Sequence, residues 1–240
     1  MKILEMGKGE LLKLKPEDVT RLLSAEEVLH IAKVLGAFWM YDYKAKKPGM
    51  HALLKSGQHS DGFFVSRILL SFKNIRMIIS NQMAMKIREA KIQPDRVVGV
   101  PNGATELGRD IARILGAKRA KMEKNDGKIV FSTKIKSEDS ILIVEDFCTR
   151  GTGFAEAVRV VSAQSGAYIF PYNPVIINRG GLKYLSVKWR DYTILPVVEI
   201  RIKDWDPNQC ELCKAGSVAI KPKETDENWK MLNNSQVVET

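Results

Sequence analysis

Residues 141 to 153 constrain the fold more than any other stretch: four apolar residues, Ile141, Leu142, Ile143 and Val144, run into Glu145 and Asp146, and then into Phe147, Cys148, Thr149, Arg150, Gly151, Thr152 and Gly153. An unbroken apolar run of this length suits a strand covered on both faces, as in a parallel sheet. Ala155, Val158, Val160, Val161 and Ala163 then give a helix with a broad apolar side. The intervening turn therefore falls at a strand's carboxyl end, where open parallel sheets bind ligands. Backbone N–H groups at the helix start, with the hydroxyls of Thr149 and Thr152, favour a phosphate. Glu145 and Asp146 repel a phosphate but accept hydrogen bonds from the hydroxyls of a sugar, with a divalent cation nearby to relieve their repulsion. Paired acids alone are often a solvated strand terminus; the whole thirteen-residue pattern favours a ligand site.

The rest of the chain supplies the elements such a sheet needs. Ser24 to Glu27 form a capping box that opens a helix closed by Gly36, and a second helix is expected over Asn74 to Lys91. Strand and helix then alternate: Val97 to Val100, Glu106 to Leu115, Arg119 to Met122, the segment at 141–163, and Val175 to Asn178. That alternation predicts an α/β fold with a parallel sheet flanked by helices. Residues 1–70 read as a small α+β cap, 71–200 as the α/β core, and 201–240 as an irregular, charged extension whose last residues, Asn233 to Thr240, fray.

Bulk properties narrow the partners. The 240 residues, 45% hydrophobic and 28% charged, fit a globular chain with a real core. Met1 to Glu10 mixes charge signs and does not read as a secretory signal, and the uncharged run from Val160 to Asn178 is broken by Gly166, Pro171 and Pro174, so no membrane span is expected. A net charge of +10 and a pI near 9.4 favour anionic company. Nucleic acid, a polyphosphate substrate or a merely solvated basic surface all fit that balance. Cys148, Cys210 and Cys213 are too few for a secreted disulfide framework, which points to a reducing cytoplasm.

Five further constellations stand out. Leu54 to Phe64 places Lys55 on a turn ahead of the adjacent aromatics Phe63 and Phe64, one of which can enter a core while the other faces a planar ligand. Pro101, Asn102, Gly103 and Ala104 follow a strand with small residues that let backbone amides approach an anion. Lys118 to Lys128 is dense in cations, among them Lys121 and Lys124, and ends in an Asn125-Asp126-Gly127 turn. Arg179 follows a strand at its carboxyl end, where a guanidinium suits a planar carboxylate. Cys210 and Cys213 have metal-knuckle spacing without a second cysteine or histidine pair downstream. The expectation there is a reduced structural turn, with zinc as the alternative.

The 141–153 segment resembles the phosphoribosyl diphosphate (PRPP) motif of the type I phosphoribosyltransferases, and Leu54 to Phe64 resembles the signature of their orotate-specific branch. The resemblance runs over roughly residues 50–181 with its blocks in the family's order. It implies the family's α/β fold with an N-terminal hood, and Mg²⁺-dependent transfer of phosphoribosyl from PRPP to orotate. Glu145 and Asp146 would hold the ribose hydroxyls, Thr149, Arg150, Gly151, Thr152 and Gly153 would wrap the 5-phosphate, with Arg150 either adding charge there or pointing to solvent, and Phe147 and Cys148 would also contact PRPP. Lys55, Asn102, Gly103, Lys121, Lys124 and Asp126 would lie along the diphosphate, Lys124 as the catalytic lysine. Phe63, Phe64, Thr149 and Arg179 would contact orotate. Mg²⁺ would be held through PRPP, with no direct protein ligand. The chain departs from the family at Asp126, where the catalytic loop Arg-Lys-x-x-Lys-x-His-Gly has histidine, at Ala120, where arginine is usual, and at Val65, where a polar residue is common. A homodimer with shared sites is implied, with neither membrane nor nucleic acid as partner. A transferase for another nucleobase, or a PRPP-sensing or nucleic-acid-binding protein without turnover, are the alternatives.

Overall fold

A computed structural model of the chain describes residues 2–236. Along it run α1 (Lys8–Leu11), α2 (Ala25–Val34), β1 (Phe38–Met40), β2 (Met50–Leu53), β3 (His59–Ser60), β4 (Gly62–Phe64), α3 (Ser66–Ser71) and α4 (Lys73–Glu89). Next come β5 (Arg96–Gly99), α5 (Thr105–Leu115), β6 (Lys118–Ala120), β7 (Met122–Asn125), β8 (Lys128–Phe131), β9 (Ser140–Cys148), α6 (Thr152–Gln164) and β10 (Tyr168–Ile169). The chain continues through β11 (Tyr172–Asn178), β12 (Tyr184–Val187), β13 (Arg190–Glu199), β14 (Asp204–Trp205), α7 (Glu211–Lys214), β15 (Val218–Ile220) and α8 (Asp226–Asn234). These elements fall into two compact units: residues 1–31 with 66–200, and residues 32–65 with 201–240.

The first unit is built on a sheet of order β12-β13-β11-β9-β5-β6, with β10 also paired to β9. All pairings are parallel except that of the edge strand β12 with β13. Ile141 to Val144 of β9 are fully buried, as the apolar run requires. From β5 the chain crosses by α5 to β6 on one side, and then returns to place β9 on the other, so the crevice between β5 and β9 is the topological switch point. Phe154, Ala157, Val158 and Val161 of α6 are buried in the core beside β9 and β11 residues. This is the expected α/β architecture. Two features were not legible. β9 continues past the acids to Cys148, and the single strand expected at 119–122 is two, β6 and β7, separated at Lys121.

The expected division of the chain is corrected at both ends. Residues 1–31 belong with the core rather than with a cap, because polar groups of α4 hold them: Asn74 Nδ2 donates to the carbonyls of Leu11 and Leu14 at 3.0 and 2.9 Å, and buried Gln82 pairs with Leu23 N and Arg21 O at 2.7 and 3.1 Å. Residues 201–236 are no irregular extension. β14 pairs with β3 and β15 with β2, giving a second sheet of order β14-β3-β2-β15 in the second unit, while β1 pairs with β4. Trp39, Tyr41, Ala52, Leu212 and Leu232 form that unit's apolar cluster. Residues 233–236 are tied down, since Ser235 Oγ accepts from Met50 N and Gln236 Oε1 from Asp42 N; residues 237–240 of the expected frayed end lie outside the described residues. Among the described residues no helix is long and apolar enough to cross a membrane.

The capping box at α2 is formed, and it does more than cap. Glu27 accepts from Ser24 N at 2.9 Å and from both Arg21 terminal nitrogens at 2.8 and 2.6 Å, while Ser24 Oγ accepts from Glu27 N. The Arg21 hydrogen bonds, against the opposing effect of burial, hold the Glu27 carboxyl down at about 2. A carboxyl depressed on folding stabilises above its ordinary value of 4.5 and loses that effect as pH falls toward 2. Glu27→Ala is expected to lower unfolding free energy by about 2 kcal/mol at neutral pH, with the difference shrinking below about pH 4, as read by urea titrations at several pH values.

Candidate active site

Because consecutive side chains of a strand point to opposite faces, β9 sends its two acids different ways. Glu145 is buried, accepts from the Phe154 N–H of α6, and takes a long 3.4 Å hydrogen bond from Asn173 Nδ2 on β11. Burial first, and then the neighbouring Asp146 charge, outweigh those bonds and raise the Glu145 carboxyl to about 7. Asp146 is only half-buried, and its Oδ1 accepts from Phe147 N. Its carboxylate lies against Gly103 of the β5 loop so closely that a Cβ on residue 103 would overlap it. Asn173 was not anticipated; its signal was an amide, with Asn178, in an otherwise largely apolar strand.

Three strand ends meet around these acids. Val100 N donates to Val144 O, which seats the β5 loop of Pro101, Asn102, Gly103 and Ala104 beside β9; Asn102 and Gly103 are exposed, and the Pro101–Asn102 peptide is cis. The β9 loop ends at Gly151, the left-handed N-cap of α6, which carries no side-chain cap bond. Arg150 and Thr152 are exposed, and Thr149 and Gly153 half-buried. Arg179, half-buried at the end of β11, is brought to the same edge by its backbone N–H, which donates to Cys148 O at 3.0 Å. Cys148 departs from its expected place: its sulfur is buried in the core and burial pushes the thiol to about 12, leaving only its backbone to face a ligand.

The cationic segment forms the β7–β8 hairpin. Asp126 and Gly127 occupy its two-residue turn with φ of +49° and +79°, between Asn125 and Lys128. That turn favours Asp-Gly, which gives residue 126 a conformational reason to be an aspartate. Met122, Ile129 and Phe131 bury the hairpin's inner face, and Ile129 N donates to Glu156 of α6 at 2.8 Å. Lys124 is opposite Ile129 and so shares the buried residues' face, yet its side chain is exposed. Lys121 sits outside the hairpin strands, ion-paired with Glu123.

The remaining predicted residues belong to the second unit. Lys55 is exposed on the turn between β2 and β3. Phe64 is buried against Phe38, while Phe63 is half-buried, with Trp229 at 6.0 Å and the Lys223 ammonium at 5.6 Å from its ring, the division expected of an aromatic pair. Phe63, Leu53, Lys55 and Lys223 line a cleft of about 450 Å³. Cys210 and Cys213 are not an isolated turn, since His51 and His59 converge on them. Sequence distance hid this, although both histidines flank the Lys55 turn.

No family model matches the chain. It is 28% identical over 202 residues to the orotate phosphoribosyltransferase of Thermoanaerobacter sp. (strain X514), covering 83% of this chain and 97% of that one. The orotate phosphoribosyltransferase of Caldicellulosiruptor bescii is 28% identical over 174 residues, 72% of this chain and 87% of the relative. Among solved structures, the orotate phosphoribosyltransferase of Aeropyrum pernix superposes with a TM-score of 0.52 at 16% identity, over 72% of this chain and 93% of that one. The UMP synthase of Leishmania donovani superposes at 0.56 and 19% identity over 76% of this chain, which spans only 38% of that longer protein. The fold is therefore that of the type I phosphoribosyltransferases.

Glu145 also makes a stability prediction. A carboxyl raised on folding is tolerated below its ordinary value of 4.5, and costs stability increasingly as pH climbs through 7. Glu145→Gln is expected to be more stable than the parent by about 2 kcal/mol at pH 8 and by almost nothing at pH 4. Paired denaturation curves at the two pH values check the sign.

Proposed function

We propose that this chain, a type I phosphoribosyltransferase by its fold and its curated relatives, transfers phosphoribosyl from PRPP to N1 of orotate, giving orotidine 5′-monophosphate and diphosphate in pyrimidine nucleotide synthesis. One observation carries the reading: an acidic pair, a glycine loop pressed against one of those acids, and the amide end of α6 share the switch-point edge of the sheet. Few ligands need all three at once; a sugar bearing phosphorus at both ends does.

In this reading the ribose hydroxyls donate to Glu145 and Asp146, the 5-phosphate lies in the loop from Thr149 to Gly153, and the diphosphate lies along Asn102 and Gly103. As the bond from C1 to the diphosphate lengthens, positive charge grows on the ribose and negative charge on the leaving group, so placed charges are the useful catalysts. The acids favour the cation-like C1; Lys124, on the inner face of its hairpin, stabilises the diphosphate that departs with the bonding electrons. N1 of orotate then bonds to C1 and gives up its proton to solvent, while Arg179 pairs with the orotate carboxylate. The oxygen-only donors at this edge suit a hard cation, and Mg²⁺ bound through PRPP oxygens would neutralise diphosphate charge. Roles for Lys55, Phe63 and Phe64 toward diphosphate and base rest on the sequence resemblance. So does the homodimer, while the cytoplasmic location rests on the sparse cysteines.

Diphosphate release from PRPP and Mg²⁺ on addition of orotate is the direct assay, and release with another nucleobase but not orotate would refute the substrate. For Lys124→Ala we expect kcat to fall about 100-fold or more with PRPP binding partly kept; near-normal turnover would remove Lys124 from this role. Arg179→Ala is expected to raise the orotate KM at least tenfold while the PRPP KM changes little.

A further inference from the structure

In the second unit, two histidines and two cysteines from opposite ends of the chain meet at a point that nothing in phosphoribosyl transfer requires. His51 Nε2 and His59 Nδ1 are 2.9 Å apart; Cys213 Sγ is 3.3 Å from His59 Nδ1 and 3.6 Å from His51 Nε2, and Cys210 Sγ is also 3.6 Å from His51 Nε2. All four ligand atoms lie within 4.8 Å of one another. A tetrahedral zinc with bonds of about 2.3 Å to sulfur and about 2.05 Å to nitrogen separates its ligands by about 3.6 Å for each S···N edge and about 3.3 Å for the N···N edge. Three of the four S···N edges meet that requirement within a few tenths of an ångström, and the fourth, like the S···S edge, lies within 4.8 Å. The N···N edge is shorter and must open slightly around an ion.

We propose that His51, His59, Cys210 and Cys213 form a structural zinc site, each chain binding one ion through His51 Nε2, His59 Nδ1 and the two sulfurs. Three independent features support it. The outer nitrogen of His51 is already engaged, Nδ1 lying 2.8 Å from the buried hydroxyl of Ser217, which in turn donates to Gly49 O; this fixes the tautomer that leaves Nε2 free to coordinate. Cys213 N points at Cys210 Sγ at 3.5 Å, a contact that stabilises a thiolate at the start of a metal knuckle. Charge also balances, because two thiolates and two neutral imidazoles neutralise the ion in a site where His51, His59 and Cys210 are buried. A set of two nitrogens and two sulfurs selects zinc over the hard cations. Loading releases the two thiol protons, and no redox change is involved.

The fold gives such an ion work to do. The sheet β14-β3-β2-β15 consists of strands of two to four residues and joins the segment at 50–60 to that at 204–220. Strands so short and a small apolar cluster order a chain weakly unless something staples them. An ion here ties β2 and β3 to the turn at Cys210, and His51 and His59 also flank the turn that carries Lys55. The site is independent of the proposed reaction, and it stands or falls on metal binding alone.

The test uses the full chain, produced with zinc supplied and reduced throughout, then dialysed against metal-free buffer. Elemental analysis is expected to find one zinc per chain. Replacement by Co²⁺ is expected to give the intense visible absorption of a tetrahedral site with a thiolate-to-cobalt band in the near ultraviolet. The double variant Cys210→Ser/Cys213→Ser is expected to lose both signals, and His30→Gln, whose ring contacts Met6 in the other unit, to keep them. Chelation is expected to lower the melting temperature of the parent but not that of the double variant. A parent chain that takes up neither zinc nor cobalt overturns the proposal, as does full zinc content in the double variant. Should the double variant fail to fold, the cobalt spectrum of the parent decides: an octahedral, sulfur-free spectrum overturns the site.

Discussion

The burial of one carboxyl, Glu145, is the constraint around which the first unit is organised. Four fully buried residues carry β9 through the middle of the sheet, and the strand delivers its acids before it leaves the core, not after. Glu145 is thus desolvated with only a long bond from Asn173 and the α6 amide to compensate, while Asp146 turns toward the β5 loop. A carboxyl kept in such a place costs stability. That cost makes physical sense where hydroxyl donors of a ligand complete what the protein leaves incomplete, since folds give up stability at functional sites.

The same edge illustrates how a parallel sheet concentrates chemistry. Each loop there is short and held close to β9: Val100 N of the β5 loop bonds Val144 O of β9, Arg179 N at the end of β11 bonds Cys148 O of β9, and α6 starts on Gly151 three residues after β9 ends. Small residues serve closeness rather than flexibility at Gly103, where any side chain would displace Asp146. The cationic hairpin is different in kind. Met122, Ile129 and Phe131 hold its base in the core, while Lys124 and Lys128 are exposed beside the Asp126-Gly127 turn that shapes its tip.

The second unit draws its strands from both halves of the chain. Asp61 accepts from Lys203 N at 2.8 Å and from the Tyr43 hydroxyl at 2.7 Å, Trp229 donates to Gly36 O, and β15 lies along β2. Contacts between residues some 150 positions apart repay their loop-closure entropy only late in folding. A compact metal-type cluster in the middle of that small sheet is the sort of device by which such units hold together without a large core.

The sequence by itself determined whatever depends on neighbours along the chain. The β9 apolar run, the capping box at Ser24 to Glu27, the Asp126-Gly127 turn and the split of Phe63 from Phe64 are all set by local periodicity and turn chemistry, and the α/β class follows from their alternation. Tertiary structure alone decided what depends on distant segments meeting. Residues 201–220 read as irregular because strands of two or three residues carry no periodic signal until β2 and β3 pair with them. Residues 1–31 joined the core through amides of α4 that look merely polar in the sequence. Cys148 entered the core because β9 ran two residues further than its acidic pair. His51 and His59 joined Cys210 and Cys213 across about 150 residues, since ligand geometry is a property of space and not of spacing.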